Sequence, residues 1–238
     1  MTPSLVPAAT LAAKASQPYP NDSAAYRQAR TALLAEEIEL RRHIERVAAQ
    51  RRALPPGGAV TKDYRFVGED GREVGLAALF GRHDTLLTYL WMYGPQRARP
   101  CPMCTAFLAG FDAPAEHLRQ RVGVAVLGRS PIERQLAVKQ ARGWRHLPFY
   151  TTVGDAFARD YRGLAPDGEE WPAFDVWVRD GGQIRHFWGA EMSGETADPG
   201  QDPRGAPDPM LLWTLLDLTP GGRGSDWYPK LDYAEARD

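Results

Sequence analysis

The chain has 238 residues, 43% hydrophobic and 25% charged, the proportions of an ordinary globular protein. Its net charge of -1 gives no global attraction for nucleic acid or anionic lipid. No apolar run approaches the ~20 residues of a membrane-spanning helix, so neither nucleic acid nor a membrane is expected as a partner.

Residues 1–20, MTPSLVPAATLAAKASQPYP, are rich in Ala, Pro and Ser. They lack a basic stretch ahead of the short apolar patch, which argues against a secretory leader, and they read as a flexible or loosely docked arm. Residues 22–52 read as one long helix that Asn21, Asp22 or Ser23 can cap. Tyr26, Ala29, Leu33, Leu34, Ile38, Ile44 and Val47 form a broad apolar stripe, which can pack on the parent domain or on a second copy in a homodimer. Pro55-Pro56-Gly57-Gly58 ends the helix as a linker. The expected division is an arm (1–20), a helix with linker (21–58), and a main domain with a C-terminal extension (59–238).

The period then changes. Tyr64, Phe66 and Val67 predict a strand, Glu69-Asp70-Gly71 a turn, and Glu73-Val74 the return. Leu76–Gly81 predicts a brief helical turn. The near-continuous apolar run Thr85–Met92 suits a strand buried on both faces. After a loop and Cys101, a helical stripe of Phe107, Leu108 and Phe111 is expected to break at Pro114, with Asp112 capping a second segment. Val122–Leu127 is the next buried strand. Ser130-Pro131-Ile132-Glu133 opens a helix, with Ser130 as its cap and an early proline, that Gly143 stops. Phe149–Thr152 predicts a strand and Asp155–Tyr161 a short helix. Ala173–Val178 and Ile184–Trp188 predict a hairpin turning at Asp180-Gly181-Gly182. Residues 192–208 read as loop and Pro209–Leu218 as a final helix. Parallel strands joined by helices and closed by a hairpin make an α/β mixed sheet flanked by helices.

Cys101-Pro102-Met103-Cys104 stands out. The two cysteines are the whole complement, too few for a secreted disulfide framework, and with no leader expected they point to the cytoplasm. The motif follows a strand and opens a helix. Disulfide exchange needs a thiolate, and a helix N-terminus favours negative charge. Pro102 suits the first helical turn. Cys101 is therefore the candidate nucleophile, and Cys104, one turn on, the candidate resolving thiol. Arg97 and Arg99 can either assist the thiolate or lie in a solvated loop. Rival readings are a pair of small buried apolar residues, half of a zinc site, or part of an iron–sulfur site. His43, His83, His117, His146 and His186 supply no H-x3-H pair, so no metal or other cofactor is expected.

The chain resembles a bacterial thioredoxin-like family catalogued as a domain of unknown function (eight-nine-nine), over nearly its whole length from about residue 26. The residues that carry the likeness are Ala29-Arg30 with Leu33-Leu34, Arg51-Arg52-Ala53-Leu54-Pro55, Asp63-Tyr64-Arg65-Phe66, the Cys101–Cys104 motif, Gly143-Trp144, Leu216-Asp217-Leu218-Thr219-Pro220 with Gly222-Arg223-Gly224, and Asp226-Trp227-Tyr228-Pro229. The resemblance implies a thioredoxin-like fold of the peroxiredoxin-like branch. It also implies that Pro172, just before the Ala173 strand, is a cis-proline facing the cysteines and positioning the substrate chain. A trans proline at a strand start is the alternative.

Two departures narrow the function. The peroxiredoxin spacing P-x-x-x-[S/T]-x-x-C fails in both registers: Ala98 and Gly94 precede Cys101, and Cys101 and Arg97 precede Cys104, at the diagnostic positions. Thioredoxins carry a tryptophan before the first cysteine and a buried aspartate in the preceding strand. Here Pro100 and Thr88 stand in those places. The expected function is a thiol–disulfide oxidoreductase acting on a protein or small-thiol disulfide. A peroxidase with an altered site, or a redox-sensing or binding protein on this scaffold, are the alternatives. For the latter, the aromatic residues Trp213, Trp227, Tyr228 and Tyr233 offer either a partner surface or core packing. Gly221-Gly222-Arg223-Gly224 matches no phosphate loop.

Overall fold

Alanine has the highest helix propensity, and the alanine-rich N-terminus uses it. In a computed structural model describing residues 5–190, 215–216 and 219–222, the chain divides into two units, one ending at Ala53 and one starting at Leu54. The first unit holds helices α1 (Ala8–Ala15) and α2 (Ala24–Arg52). The segment expected to be a flexible arm thus contains a helix. Ala8 and Ala12 are small enough to let α1 lie closely on Leu34, Ala35 and Ile38 of α2. Part of the α2 stripe is therefore covered by the chain's own preceding helix. Of the three candidate caps, Ser23 serves α2, accepting from the backbone N–H of Tyr26.

The second unit is built on seven strands: β1 (Arg65–Gly68), β2 (Glu73–Gly75), β3 (Thr85–Leu90), β4 (Gly123–Gly128), β5 (Phe149–Thr152), β6 (Ala173–Asp180) and β7 (Gln183–Gly189). Their order across the sheet is β2-β1-β5-β4-β3-β6-β7. Strands β3, β4 and β5 run parallel, and β6 returns antiparallel against β3. The β6–β7 hairpin turns on Gly181 and Gly182, both at positive φ, as a two-residue primed turn requires. Helices α3 (Leu76–Leu79), α4 (Pro102–Leu118), α5 (Ile132–Arg142) and α6 (Ala156–Asp160) flank the sheet. Gly143 closes α5 in the left-handed conformation.

Strand β3 is buried on both faces, and its alternation splits the core in two. Leu87, Tyr89 and Trp91 join one cluster, with Leu108, Phe111, Ala115 and Leu118 of α4. Leu86 and Leu90 join the other, with Phe66, Phe80, Phe157 and Trp177. This is the thioredoxin-like mixed α/β sheet. No described helix is long and apolar enough to cross a membrane.

Two local expectations need correction. Pro114 does not break α4, which continues through it to Leu118. The carbonyl that loses its donor belongs to Gly110, a residue with no side chain to crowd the ring, and buried packing at Leu108, Phe111, Ala115 and Leu118 holds both halves in line. Ser130 does not cap α5, whose N-cap is Pro131. Its hydroxyl instead donates to the carbonyl of Gly94 at 3.1 Å, tying down the loop before the cysteines. Leu215 and Leu216, within the expected final helix, are helical and buried. The rest of that segment, Arg223-Gly224, and Trp213, Trp227, Tyr228 and Tyr233 lie outside the described residues.

Candidate functional site

Strand β3 ends at Leu90, and a loop leads from it to Cys101, the N-cap of the 17-residue helix α4. Pro102 occupies the first helical position. The Cys101 backbone N–H donates to the Met92 carbonyl at 3.0 Å, which holds the motif against the strand end. Its carbonyl accepts from the Thr105 hydroxyl at 2.9 Å. Cys101 is half-buried, Met103 is 71% exposed, and Cys104 is only 1% exposed. Both cysteines are free thiols, and their side chains lie close enough to influence one another.

Burial is the largest influence on Cys104 and pushes its thiol up to about 11. The Tyr89 hydroxyl and the Met92 backbone N–H donate to its sulfur and oppose the shift, while proximity of Cys101 adds to it. Tyr89 is itself held well above the usual phenol range, first by burial and then by Cys104 and Cys101. It therefore stands beside Cys104 as a neutral donor.

Thr88, the sequence counterpart of the thioredoxin aspartate, is on the wrong face for this role. Its hydroxyl accepts from the Trp177 indole N–H at 2.8 Å, within the opposite cluster. The β3 side chain that reaches Cys104 is Tyr89, one residue on. Period-2 alternation was the available signal, since Leu87, Tyr89 and Trp91 share the cluster that contains Cys104. A buried carboxylate does exist in β6. Asp175 lies 2.7 Å from His186 Nε2, and burial pushes its carboxyl up against the opposing pull of that histidine. Asp175 shares its face of β6 with Ala173 and Trp177 of the opposite cluster, so the sheet separates it from Cys104.

Pro172 directly precedes β6. Ala173 pairs with Leu90, at the end of β3 from which the chain runs to Cys101. No described peptide bond is cis, so Trp171–Pro172 is trans. The expected cis geometry is corrected. Trans is the intrinsically favoured isomer, and a position just ahead of the strand, outside its ladder, accommodates it.

The loop between β3 and Cys101 is clamped by groups that no short motif announces. Arg97 donates to Glu170 at 2.7 Å, and Glu170 accepts a further bond from Arg129 at 3.1 Å. Arg97 is thus engaged by a carboxylate and is not a free cation for the cysteines. Gln135 is fully buried. It accepts from the Trp91 indole at 2.9 Å and donates to the Ser130 carbonyl at 2.9 Å and the Thr151 hydroxyl at 2.8 Å. It joins the end of β3 to α5 and β5. Replacing it with leucine strands these partners, so Gln135→Leu is expected to lower the unfolding free energy by ~2–4 kcal/mol in urea titration. A loss under ~1 kcal/mol would show the network to be dispensable.

Asp112 acts differently from the helix cap expected of it. From the middle of α4 its carboxylate accepts from the backbone N–H groups of Arg145, His146 and Leu147 at 2.9–3.1 Å. Helix α4 is thereby fastened to the turn after α5. An acid on the apolar side of the helix, between Leu108 and Ala115, was the signal. Among the described residues, no group of three or more His, Cys, Asp or Glu side chains is gathered as a metal site would need.

A family model described as bacterial protein of unknown function (DUF899) matches residues 16–234. No curated protein matches the chain. Solved structures similar to it include the exposed lipoprotein thioredoxin Etrx1 of Streptococcus pneumoniae, at 16% identity over 52% of this chain and 87% of that one, with a TM-score of 0.39. The 2-Cys peroxiredoxin of Plasmodium vivax is similar at 20% identity over 55% and 79%, TM-score 0.39. A peroxiredoxin-like protein from Aquifex aeolicus is similar at 14% identity over 57% and 75%, TM-score 0.41. The strand order and the position of α4 in this chain carry the fold assignment by themselves.

Proposed function

Because the chain belongs to the family of bacterial proteins of unknown function DUF899, we propose a function from its own site: thiol–disulfide exchange by Cys101 and Cys104. The observation that carries the reading is the arrangement of two neighbouring free thiols, one half-buried at the N-cap of a long helix and one buried a turn later. The helix N-terminus favours negative charge on the attacking sulfur.

The Cys101 thiolate attacks one sulfur of a substrate disulfide. The substrate S–S bond breaks, a Cys101–substrate bond forms, and the first substrate sulfur leaves with the electron pair and takes up a proton. Cys104 then loses its proton and attacks Cys101 sulfur, expelling the second substrate sulfur as a thiol. The substrate gains two electrons and two protons, and the dithiol becomes a disulfide. An external dithiol reductant returns the protein to its starting state, and with a strongly oxidised pair the same steps run in reverse. Pro172 is the candidate for positioning the substrate chain, supported by its place just before Ala173, which pairs with Leu90 at the end of β3. Free thiols and this chemistry suit a reducing cytoplasm.

The test is reduction of insulin disulfides with a chemical dithiol as electron source. Cys101→Ser is expected to abolish turnover, and Cys104→Ser to accumulate a covalent substrate adduct on Cys101. Full reductase activity in Cys101→Ser would overturn the reading. Hydrogen peroxide consumed faster than disulfide would favour the peroxidase alternative instead.

A further inference from the structure

Pro100 and Pro102, the residues on either side of Cys101, both line a cleft of about 780 Å³. Across it stands α5, presenting Arg134, Val138 and Arg142. Their spacing of four places them along one helix face. Arg99 enters from the loop before the motif. Arg97 also borders the cleft, but its charge is met by Glu170.

The other three guanidinium groups have no such partner. Among the described residues, no carboxylate lines the cleft, and none forms an ion pair with Arg99, Arg134 or Arg142. Arg134 is held in place without being neutralised: it donates to the Arg97 carbonyl at 2.6 Å and lies over the Tyr93 ring at 4.8 Å. A chain of net charge -1 thus gathers three uncompensated cations in a cleft whose wall includes both chain neighbours of Cys101. Guanidinium groups recognise carboxylates in bidentate fashion, and the volume is that of a small-molecule site, not of an extended protein interface.

We infer that this cleft binds a small disulfide bearing carboxylates and presents its sulfur to Cys101. The inference rests on the thiol–disulfide reading above and names its substrate class. The arginines hold the carboxylates, and the apolar wall at Val138 packs the substrate's carbon chain.

The probes are glutathione disulfide, which carries carboxylates, neutral bis(2-hydroxyethyl) disulfide and cationic cystamine. Each exchange rate of the full-length protein is divided by that of a free thiol with the same disulfide. The normalised rate is expected to be at least about tenfold higher for glutathione disulfide than for the neutral probe at low salt, and lowest for cystamine. That ratio is expected to fall about tenfold in Arg99→Gln/Arg142→Gln and to shrink at high salt. Lysine at both positions is expected to recover part of it, since charge returns without the planar fork.

A second measurement separates binding from chemistry. The Cys101→Ser/Cys104→Ser variant is titrated with glutathione disulfide by calorimetry, and saturable binding, weakened about tenfold by the two Gln substitutions, is expected. Saturable binding with no exchange by the intact dithiol would overturn the thiol–disulfide reading and keep the cleft. Equal normalised rates for all three probes, with no binding, would overturn the cleft. A glutamate-rich cystine peptide preferred about tenfold over glutathione disulfide would overturn the small-molecule occupant in favour of an acidic protein segment.

Discussion

Release of a substrate thiol from a mixed disulfide on Cys101 is expected to accelerate about tenfold per pH unit between pH 7 and pH 9. Under the proposed reaction this step requires the Cys104 thiolate. Burial pushes that thiol up to about 11, so across this range it is almost wholly protonated and its thiolate fraction grows in proportion to hydroxide. Once Cys101 is in a mixed disulfide it no longer carries a thiolate, which removes one of the smaller upward influences on Cys104. The largest influence, burial, remains. The buried carboxylate of β6 does not relieve the burden, since Asp175, like Thr88, faces the opposite cluster.

Tyr89 is the residue that tunes this step. Its hydroxyl donates to Cys104 and opposes the effect of burial. Tyr89→Phe is therefore expected to slow thiol release several-fold at a given pH, shift the profile further toward alkali, and leave formation of the mixed disulfide unchanged. The measurement is stopped-flow release of a chromophoric thiol preloaded on Cys101. A profile flat from pH 7 to 9, or one that levels off near neutrality, would show that Cys104 is not the buried high-pKa thiol described. The same shift has a sign for stability. An acid whose folded pKa lies above its ordinary value of 9.0 keeps its proton in the folded state after the unfolded chain has lost it. The reduced fold should therefore lose stability as pH rises from about 9 toward 11.

Asp112→Ala is expected to be among the most damaging single substitutions away from the cysteines, lowering unfolding free energy by ~3 kcal/mol. One carboxylate serves three backbone donors, those of Arg145, His146 and Leu147. Removing it leaves donors without acceptors next to Leu147, which is fully buried in the core. The turn also carries Trp144, which stacks on Phe149 at 5.9 Å. Loosening the turn should therefore disturb the cluster beneath α4. Asp112→Asn keeps one acceptor oxygen and is expected to lose less. Urea unfolding together with faster amide exchange at residues 145–147 checks the claim. A loss below ~1 kcal/mol, with exchange unchanged, would refute it.

What local pattern could and could not reveal follows from the range of the interactions involved. The strands, the α5 stop at Gly143, the Gly181-Gly182 hairpin and the helix start at Pro102 are decided by neighbours in the chain. Glycine supplies positive φ, proline suits a first helical turn, and apolar runs mark buried strands. Where neighbours dominated the expectation but distant contacts dominated the energy, the expectation failed. Pro114 stays helical because the core grips both sides of it. Ser130 and Asp112 spend their oxygens across the fold and not on the nearest helix end.

The Cys101–Cys104 motif at the head of a helix was fully legible in the sequence, because its spacing and its proline are local facts. Its environment was not. That Tyr89 and not Thr88 meets Cys104, that Glu170 occupies Arg97, and that Arg99, Arg134 and Arg142 converge on one cleft all depend on which face of the sheet and which side of α5 are turned inward. Those orientations are set by side-chain packing between residues distant in the chain, as Arg97 and Glu170 are at 73 positions apart. Only the tertiary structure brings such residues into contact.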